Sequence, residues 1–156
     1  MNNLVERFGP WALVTGASSG IGAAFARRLA EIGMNVALLA RREDKLRTLV
    51  EELQSRHSIG TRVLPVDLSR DDFLPVVLRA TDDLQVGLLV NNAGIATAGK
   101  FLDNELSSEV ALGQINIRAP LIASHHFGGT MRKRHRGRGC GLRSWVSLIV
   151  KKGAWE

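Results

Sequence analysis

The sequence constrains its fold most strongly between residues 12 and 33, where an apolar run meets three glycines and an amphipathic helix pattern follows. The run WALVTG at 11–16 predicts a buried strand. Four apolar residues then recur at helical spacings of four, four and three, namely Ile21, Phe25, Leu29 and Ile32. The glycines between the two patterns are Gly16, Gly20 and Gly22. The segment therefore predicts a strand, a glycine loop and a helix.

The same alternation continues along the chain. Apolar runs predict further strands at residues 35–40, 61–68, 86–94 and 144–150, and helical patterns cover 42–57, 70–83 and about 104–135. Alternating strands and helices favour parallel pairing with right-handed crossovers, and the nearly continuous apolar strands indicate a sheet covered on both faces. We expect one α/β domain over residues 1–156, a doubly wound, Rossmann-type parallel sheet in strand order 3-2-1-4-5 that stops at about the fifth strand.

Composition excludes several classes of protein. The hydrophobic content of 45% is ordinary for a globular protein, and the single cysteine, Cys140, rules out an internal disulfide framework. No apolar run reaches the length of a membrane span, and the start MNNLVERFGP lacks the pattern of a secretion signal. We expect a cytoplasmic protein with no membrane partner and no metal site.

Glycines between a strand and a helix have a physical use. A helix N-terminus presents unpaired N–H groups and partial positive charge, which favour a phosphate group. Glycines allow the tight turn and the close approach of the phosphate. Their placement after the first strand therefore predicts a nucleotide site.

Four motifs lie in a characteristic order. They are the T-G-x-x-x-G-x-G pattern from Thr15 to Gly22, VDL at 66–68, VNNAG at 90–94 and INIRAP at 115–120. Together they resemble the short-chain dehydrogenase/reductase family, over roughly residues 10–135. The resemblance implies hydride transfer between a nicotinamide cofactor and a small-molecule carbonyl or alcohol substrate.

The resemblance also implies which residues hold the cofactor. They are Thr15, Gly16, Ser18, Ser19, Gly20, Ile21, Gly22, Arg41, Arg42, Asp67, Leu68, Asn92, Ala93 and Gly94. Asp67 would lie beside the adenine ring, although it also suits a turn or the N-cap of the next helix. The segment from Asn91 to Gly94 is equally a good strand-ending turn.

The end of the second strand indicates which dinucleotide is preferred. Ala40 stands where an NAD site usually has an acidic residue, and Arg41 and Arg42 follow it. A guanidinium pairs well with a 2′-phosphate, and such charge-assisted bonds contribute roughly 1.5–3 kcal/mol. We therefore expect NADP(H) as the cofactor and favour Arg41 as the ligand of the 2′-phosphate. Arg42 is either a second ligand of this phosphate or a solvated residue at the start of a helix.

The catalytic residues are incomplete. The family uses a tyrosine as acid/base, a lysine four residues later, a serine and an asparagine, but this chain contains no tyrosine. Asn116 matches the asparagine, and Ser147 is a better match to the serine than Ser144. The histidines His125, His126 and His135 and the lone cysteine are poor substitutes for the tyrosine. We expect little or no activity from this chain, so a non-catalytic nucleotide-binding or interaction protein is the alternative.

The last segment differs in composition from the rest. Residues 131–156 carry eight Lys and Arg against one Asp or Glu, and RKRHRGRG at 132–139 holds five of them. A shifted reading frame or a truncated product would explain the composition. The basic run suits either a solvated helix end or, as a weaker hypothesis, nucleic-acid binding. An incomplete sheet would leave apolar surface uncovered, so we also expect self-association.

Overall fold

A computed structural model of the chain describes residues 4–134 and, by backbone alone, residues 138–141. The strands are β1 Trp11–Thr15, β2 Asn35–Ala40, β3 Thr61–Pro65, β4 Val86–Asn91 and β5 Arg138–Gly141. The α-helices are α1 Leu4–Phe8, α2 Gly20–Glu31, α3 Glu43–Arg56, α4 Phe73–Ala80, α5 Leu106–Gly113 and α6 Ala119–Lys133. A 3₁₀ turn covers Phe101–Asp103, and a π-helical turn covers Gln114–Arg118.

The five strands form one parallel sheet in the order β3-β2-β1-β4-β5, which confirms the predicted order. The pairing is in register at the carboxyl ends, where Thr15 lies opposite Leu39 and Ala40 lies opposite Pro65. Because all strands point the same way, the loops that follow them meet at one edge of the sheet.

Side chains of β1 alternate between two apolar cores. Ala12 and Val14 pack with α2 and α3 on one face, whereas Leu13 packs on the other face with residues of α4 and α6 such as Phe73 and Phe127. All three β1 side chains are buried. The sheet is therefore covered on both faces, as the apolar strands predicted.

The helix after the glycine loop departs from its predicted face in one position. Leu29 is buried, and Phe25 and Ile32 pack partly buried against the core, but Ile21 is 53% exposed. Ile21 lies in the first turn of α2. In α3 the predicted inward residues Leu46, Leu49 and Leu53 are buried, and Val50 packs against them.

The fifth strand uses a different segment from the one expected. The strand predicted at residues 144–150 lies outside the described residues, and β5 is formed by Arg138–Gly141. Arg134, directly after α6, donates from Nη2 to the carbonyl oxygen of Val86 at 3.1 Å, so the end of α6 lies beside the amino end of β4, the strand with which β5 pairs.

An irregularity in β4 accommodates the N-terminal helix, which the sequence did not predict. Trp11 pairs with Val86 and Ala12 with Leu88, so the register skips Gly87. A Cβ built on Gly87 would overlap the carbonyl group of Phe8, the last residue of α1. The end of α1 thus packs directly on the backbone of β4.

The long predicted helix is interrupted in its middle. One helical path runs from Leu106 to Lys133, but its turn at Gln114–Arg118 is π-helical. An exposed apolar strip runs along it, here called the α5–α6 ridge, and consists of Leu106, Val110, Ile117 and Leu121. In the part of the chain that the structure describes, no helix is both long and apolar enough to cross a membrane.

Candidate functional site

The glycine loop joins β1 to α2 through backbone conformations that suit glycine. Gly16 has φ of 66° and Gly20 has φ of 55°, and both values lie in the left-handed region. A Cβ on Gly16 would lie 2.8 Å from Cα of Ala93. Only a residue without a side chain allows the loop to approach the segment after β4 this closely.

The other two glycines have different roles. A Cβ on Gly22 would clash with the carbonyl oxygen of Gly16 and with Nδ2 of Asn92, so Gly22 permits contact between α2 and the loop. A Cβ on Gly20 would meet no atom within 4 Å, because that position borders a cavity. The loop therefore leaves space at the N-terminus of α2, where a phosphate would be favoured.

Hydrogen bonds tie the loop to the segment after β4. Thr15 Oγ1 donates to the carbonyl oxygen of Val90 at 3.3 Å and accepts from the backbone N–H groups of Asn92 and Ala93 at 3.0 and 3.1 Å. The Asn92 side chain donates in return to the carbonyl oxygens of Thr15 and Gly16, both at 3.1 Å. The start of the glycine loop and the NNAG segment are thus held together by hydrogen bonds.

A cavity of about 410 Å³ opens at the carboxyl ends of the strands. Twelve of the fourteen predicted cofactor residues line it, namely Gly16, Ser18, Ser19, Gly20, Ile21, Arg41, Arg42, Asp67, Leu68, Asn92, Ala93 and Gly94. Thr15 and Gly22 lie behind the lining and support it through the contacts described above. Separate stretches of the sequence are therefore brought together around one concave site.

Five further apolar residues of the lining were not predicted from the sequence. Leu39, Ala40, Val66, Ile95 and Ile115 complete the cavity wall. Leu39 and Ala40 end a predicted strand and Ile95 directly follows the NNAG motif, so the sequence pattern could have placed these three residues at the cavity. Ile115 belongs to the long helix, and its approach to the site depends on tertiary packing.

Two arginines stand at the rim where β2 ends, and they differ in their contacts. Arg42 donates from Nη2 to Oγ of Ser18 at 3.1 Å and of Ser19 at 3.0 Å. Arg41 makes no side-chain hydrogen bond or ion pair with any residue that the structure describes, and its charge acts on Asp67. The rim thus carries two positive charges where β2 ends, because the two residues after Ala40 are arginines and not acidic residues.

Asp67 forms a turn at the end of β3. Its Oδ1 accepts from the backbone N–H of Ser69 at 2.9 Å and from Ser69 Oγ at 2.8 Å. Partial burial raises the pKa of Asp67, but these bonds and the charges of Arg41 and Arg70 outweigh it and hold the pKa below its usual value. The turn alternative is therefore observed, whereas the N-cap alternative is wrong because Asp72 occupies the N-cap of α4.

Asn116 lies in the middle of the π-helical turn and does not line the cavity. Its side chain donates to the carbonyl oxygen of Ile95 at 2.7 Å and accepts from the N–H of Ile95 at 2.9 Å. Single π turns occur frequently at functional sites. Here the turn places Asn116 behind the cavity wall, where it fixes the backbone after the NNAG motif.

Of the other predicted residues, some lie outside the described residues and others lie away from the cavity. Ser147 and Ser144 lie outside the described residues, as does His135. His125 and His126 are exposed on α6 and do not line the cavity. Within residues 4–134, no cluster of three or more His, Cys, Asp and Glu side chains could hold a metal ion.

The described part of the basic run belongs to a helix end. Arg132 and Lys133 lie in the last turn of α6, where cations interact favourably with the helix dipole. Arg134 donates to the carbonyl oxygens of Thr130 and Val86. These contacts place the described part of the run at a helix end.

Known proteins match most of the chain. Curated relatives include 7beta-hydroxysteroid dehydrogenase of Mediterraneibacter gnavus, 33% identical over 134 residues that make up 86% of this chain and 51% of the relative. Human "Inactive hydroxysteroid dehydrogenase-like protein 1" is 32% identical over 86% of this chain and 42% of its own length. The chain spans about half the length of the curated relatives it matches.

A solved short-chain dehydrogenase from Sphingobium yanoikuyae in complex with NADPH superposes with a TM-score of 0.82 at 32% identity, covering 86% of this chain and 53% of that one. The model of the family described as short chain dehydrogenase matches residues 10–146. The glycine loop, the NNAG segment and the parallel sheet all lie within this match, and the chain belongs to the short-chain dehydrogenase family.

Proposed function

We propose that this chain binds NADP(H) in the cavity at the carboxyl ends of its strands and represents the cofactor-binding half of an oxidoreductase. The observation that carries the proposal is the pair Arg41 and Arg42 at the cavity rim, next to the buried Ala40. A carboxylate at this place would accept hydrogen bonds from a ribose 2′-hydroxyl, and it would repel a 2′-phosphate. Two guanidinium groups favour the phosphorylated ribose instead.

The remaining lining suits the other parts of a dinucleotide. The loop at Gly20 and the N-terminus of α2 offer space and N–H groups to the pyrophosphate. Asp67, whose lowered pKa keeps it ionised, is an acceptor for the exocyclic amine of adenine. Leu39, Val66 and Leu68 provide apolar surface for the rings. When bound, the nicotinamide supplies or accepts the hydride.

Titration with NADPH and NADH tests the proposal. We expect NADPH to bind about 10- to 150-fold more tightly, the equivalent of one charge-assisted bond. Arg41→Ala and Arg42→Ala should each reduce this preference, whereas Arg79→Ala on the exposed part of α4 should leave it unchanged. Equal affinities of the unaltered chain for the two cofactors would overturn the assignment of NADP(H).

We further propose that the 156-residue chain does not itself turn over small carbonyl or alcohol substrates. It contains no tyrosine, the residue that the family resemblance assigns as acid/base, and loss of a positioned acid/base lowers rates by about 10²–10⁴. Asn116 lies behind the cavity wall, where it bonds to the backbone of Ile95. A panel of aldehydes and ketones with NADPH should give rates near background, and robust turnover that survives Ser147→Ala would contradict this account.

A further inference from the structure

We propose that the N-terminal helix α1 acts as a strap that holds the amino end of β4 in the shape needed for the chain after α6 to join the sheet. Three segments meet at this end of β4, at a place here called the β4 junction. Its members are Phe8 at the end of α1, Val86 and Gly87 in β4, and Arg134 directly after α6. None of these four residues lines the cavity, so the β4 junction lies apart from the proposed cofactor site.

The helix α1 is attached to the domain by apolar packing and by a close backbone contact. Leu4 and Val5 pack against the core that also contains residues of α2 and α3, and Phe8 is buried. The N–H of Gly9 donates to the carbonyl oxygen of Val5 at 2.8 Å and closes the helix. The carbonyl group of Phe8 lies against Gly87, where a Cβ would overlap it, so α1 has space only because residue 87 has no side chain.

The pairing of β4 is irregular at the same place. Trp11 pairs with Val86 and Ala12 with Leu88, so Gly87 has no partner in β1. An extra residue of this kind disrupts the ladder locally and bends the strand. On the other side of β4, pairing with β5 begins only at Leu88. The carbonyl oxygen of Val86 therefore lies before the first pair of the β4–β5 ladder.

Arg134 takes the place of a strand neighbour for this carbonyl group. Its Nη2 donates to the carbonyl oxygen of Val86 at 3.1 Å, and its Nε donates to that of Thr130 at 3.3 Å. The bond to Val86 is partly buried, and a buried carbonyl group needs a donor. Because β5 begins four residues after Arg134, this bond fixes the chain at the edge of β4 just before the chain pairs with it.

Both contacts act on one peptide unit, the link between Val86 and Gly87. Phe8 lies against the Gly87 side of this unit, and Arg134 binds its carbonyl oxygen. A peptide unit is planar, so it rotates as one piece. Departure of α1 would allow the carbonyl group to turn away from Arg134, and loss of the Arg134 bond would allow the unit to turn beneath Phe8. Coupling of this kind is reciprocal, so docking of α1 and pairing of β5 should favour each other.

Hydrogen exchange on the full chain tests the coupling from the side of Arg134. Arg134→Met keeps an apolar stem and removes the guanidinium. The amide of Gly9 is bonded to Val5 only while α1 is formed, and in this variant it should exchange about three- to tenfold faster. Arg79→Met, on the exposed part of α4, should leave the Gly9 rate unchanged. An unchanged Gly9 rate in Arg134→Met would overturn the inference.

A double-mutant cycle measures the same coupling by urea unfolding. Leu4→Ala/Val5→Ala weakens the packing of α1 without adding a group to β4, so it avoids the overlap that a side chain at residue 87 would cause. In the unaltered chain, Arg134→Met should raise the equilibrium constant of unfolding about tenfold. In the Leu4→Ala/Val5→Ala background, it should raise this constant about threefold or less. Equal effects in the two backgrounds would show that α1 and Arg134 act independently, which contradicts the strap.

Discussion

Asn116 binds both polar backbone groups of Ile95, with its Nδ2 donating to the carbonyl oxygen at 2.7 Å and its Oδ1 accepting from the N–H at 2.9 Å. The pair joins the π-helical turn to the chain that leaves the NNAG motif. Both hydrogen bonds are partly buried, so removal of the Asn116 side chain would leave the N–H and the carbonyl oxygen of Ile95 without these partners.

Replacing Asn116 with alanine should therefore destabilise the chain by about 1–3 kcal/mol. Urea unfolding followed by circular dichroism measures the change. Asn104→Ala provides a matched control, because its side-chain amide donates to the Glu109 side chain, and we expect the substitution to cost less than about 1 kcal/mol. Equal midpoints for the two variants would contradict a structural role for the bond pair to Ile95.

Asp67 should make stability depend on pH in the acid range. Its pKa is lowered in the folded chain, so its contribution is fully present above the unfolded value of about 3.9 and is lost as pH falls through the folded value. The difference in melting temperature between the unaltered chain and Asp67→Asn should shrink from pH 6 towards pH 3. Ser69→Ala removes one hydrogen-bond donor to Asp67 and keeps the carboxylate. Its melting temperature should also differ more from that of the unaltered chain at pH 6 than at pH 3, but by a smaller amount than for Asp67→Asn. A difference that does not vary with pH would exclude this role.

Two glycines should respond in opposite directions to alanine. At Gly87 the added Cβ overlaps the carbonyl group of Phe8, and we expect a loss of about 1–3 kcal/mol or more, as in other overpacked sites. At Gly129, within α6, the Cβ meets nothing within 4 Å, and alanine should stabilise the helix by about 0.5–1 kcal/mol. Thermal unfolding of both variants gives the comparison. A neutral Gly87→Ala would mean that α1 does not pack on β4.

The α5–α6 ridge should promote self-association. Val110 and Leu121 are 53% and 54% exposed, and covering such side chains contributes roughly 1.5–3 kcal/mol each when burial is complete. Sedimentation velocity should show a mass that rises with concentration, and Val110→Glu/Leu121→Glu should lower it. Val76→Glu, at a half-exposed position on α4, is the control. A monomer at all concentrations would remove the basis for this expectation.

The sequence predicted the parts of the fold that depend on local pattern. The strand order, the inward residues of α3 and the glycine loop follow from periodicity and from the motifs at Thr15 and Asn92. It could not predict that Gly87 makes room for α1, because that contact joins segments nearly eighty residues apart.

The sequence also could not predict that Arg41 and Arg42 make different contacts. Arg41 and Arg42 are adjacent and chemically alike, so composition and spacing treat them almost equally. Only the folded loop places the hydroxyls of Ser18 and Ser19 against Arg42. Likewise, the edge segment at Arg138–Gly141 pairs with β4 although its glycines give it a weak strand pattern.

The π-helical turn sets the rotational phase of everything that follows it. Such a turn is equivalent to one residue inserted into an α-helix, and one residue corresponds to about 100° of rotation. Deleting a single residue from 114–118 would restore regular α-helical winding. Phe127 and Met131, which are buried against the sheet, would then rotate by about 100° around the helix axis and leave the core. The extra residue that allows Asn116 to reach Ile95 thus also keeps the apolar face of α6 against the sheet. A change of length in this turn would therefore disturb two separate parts of the chain at once.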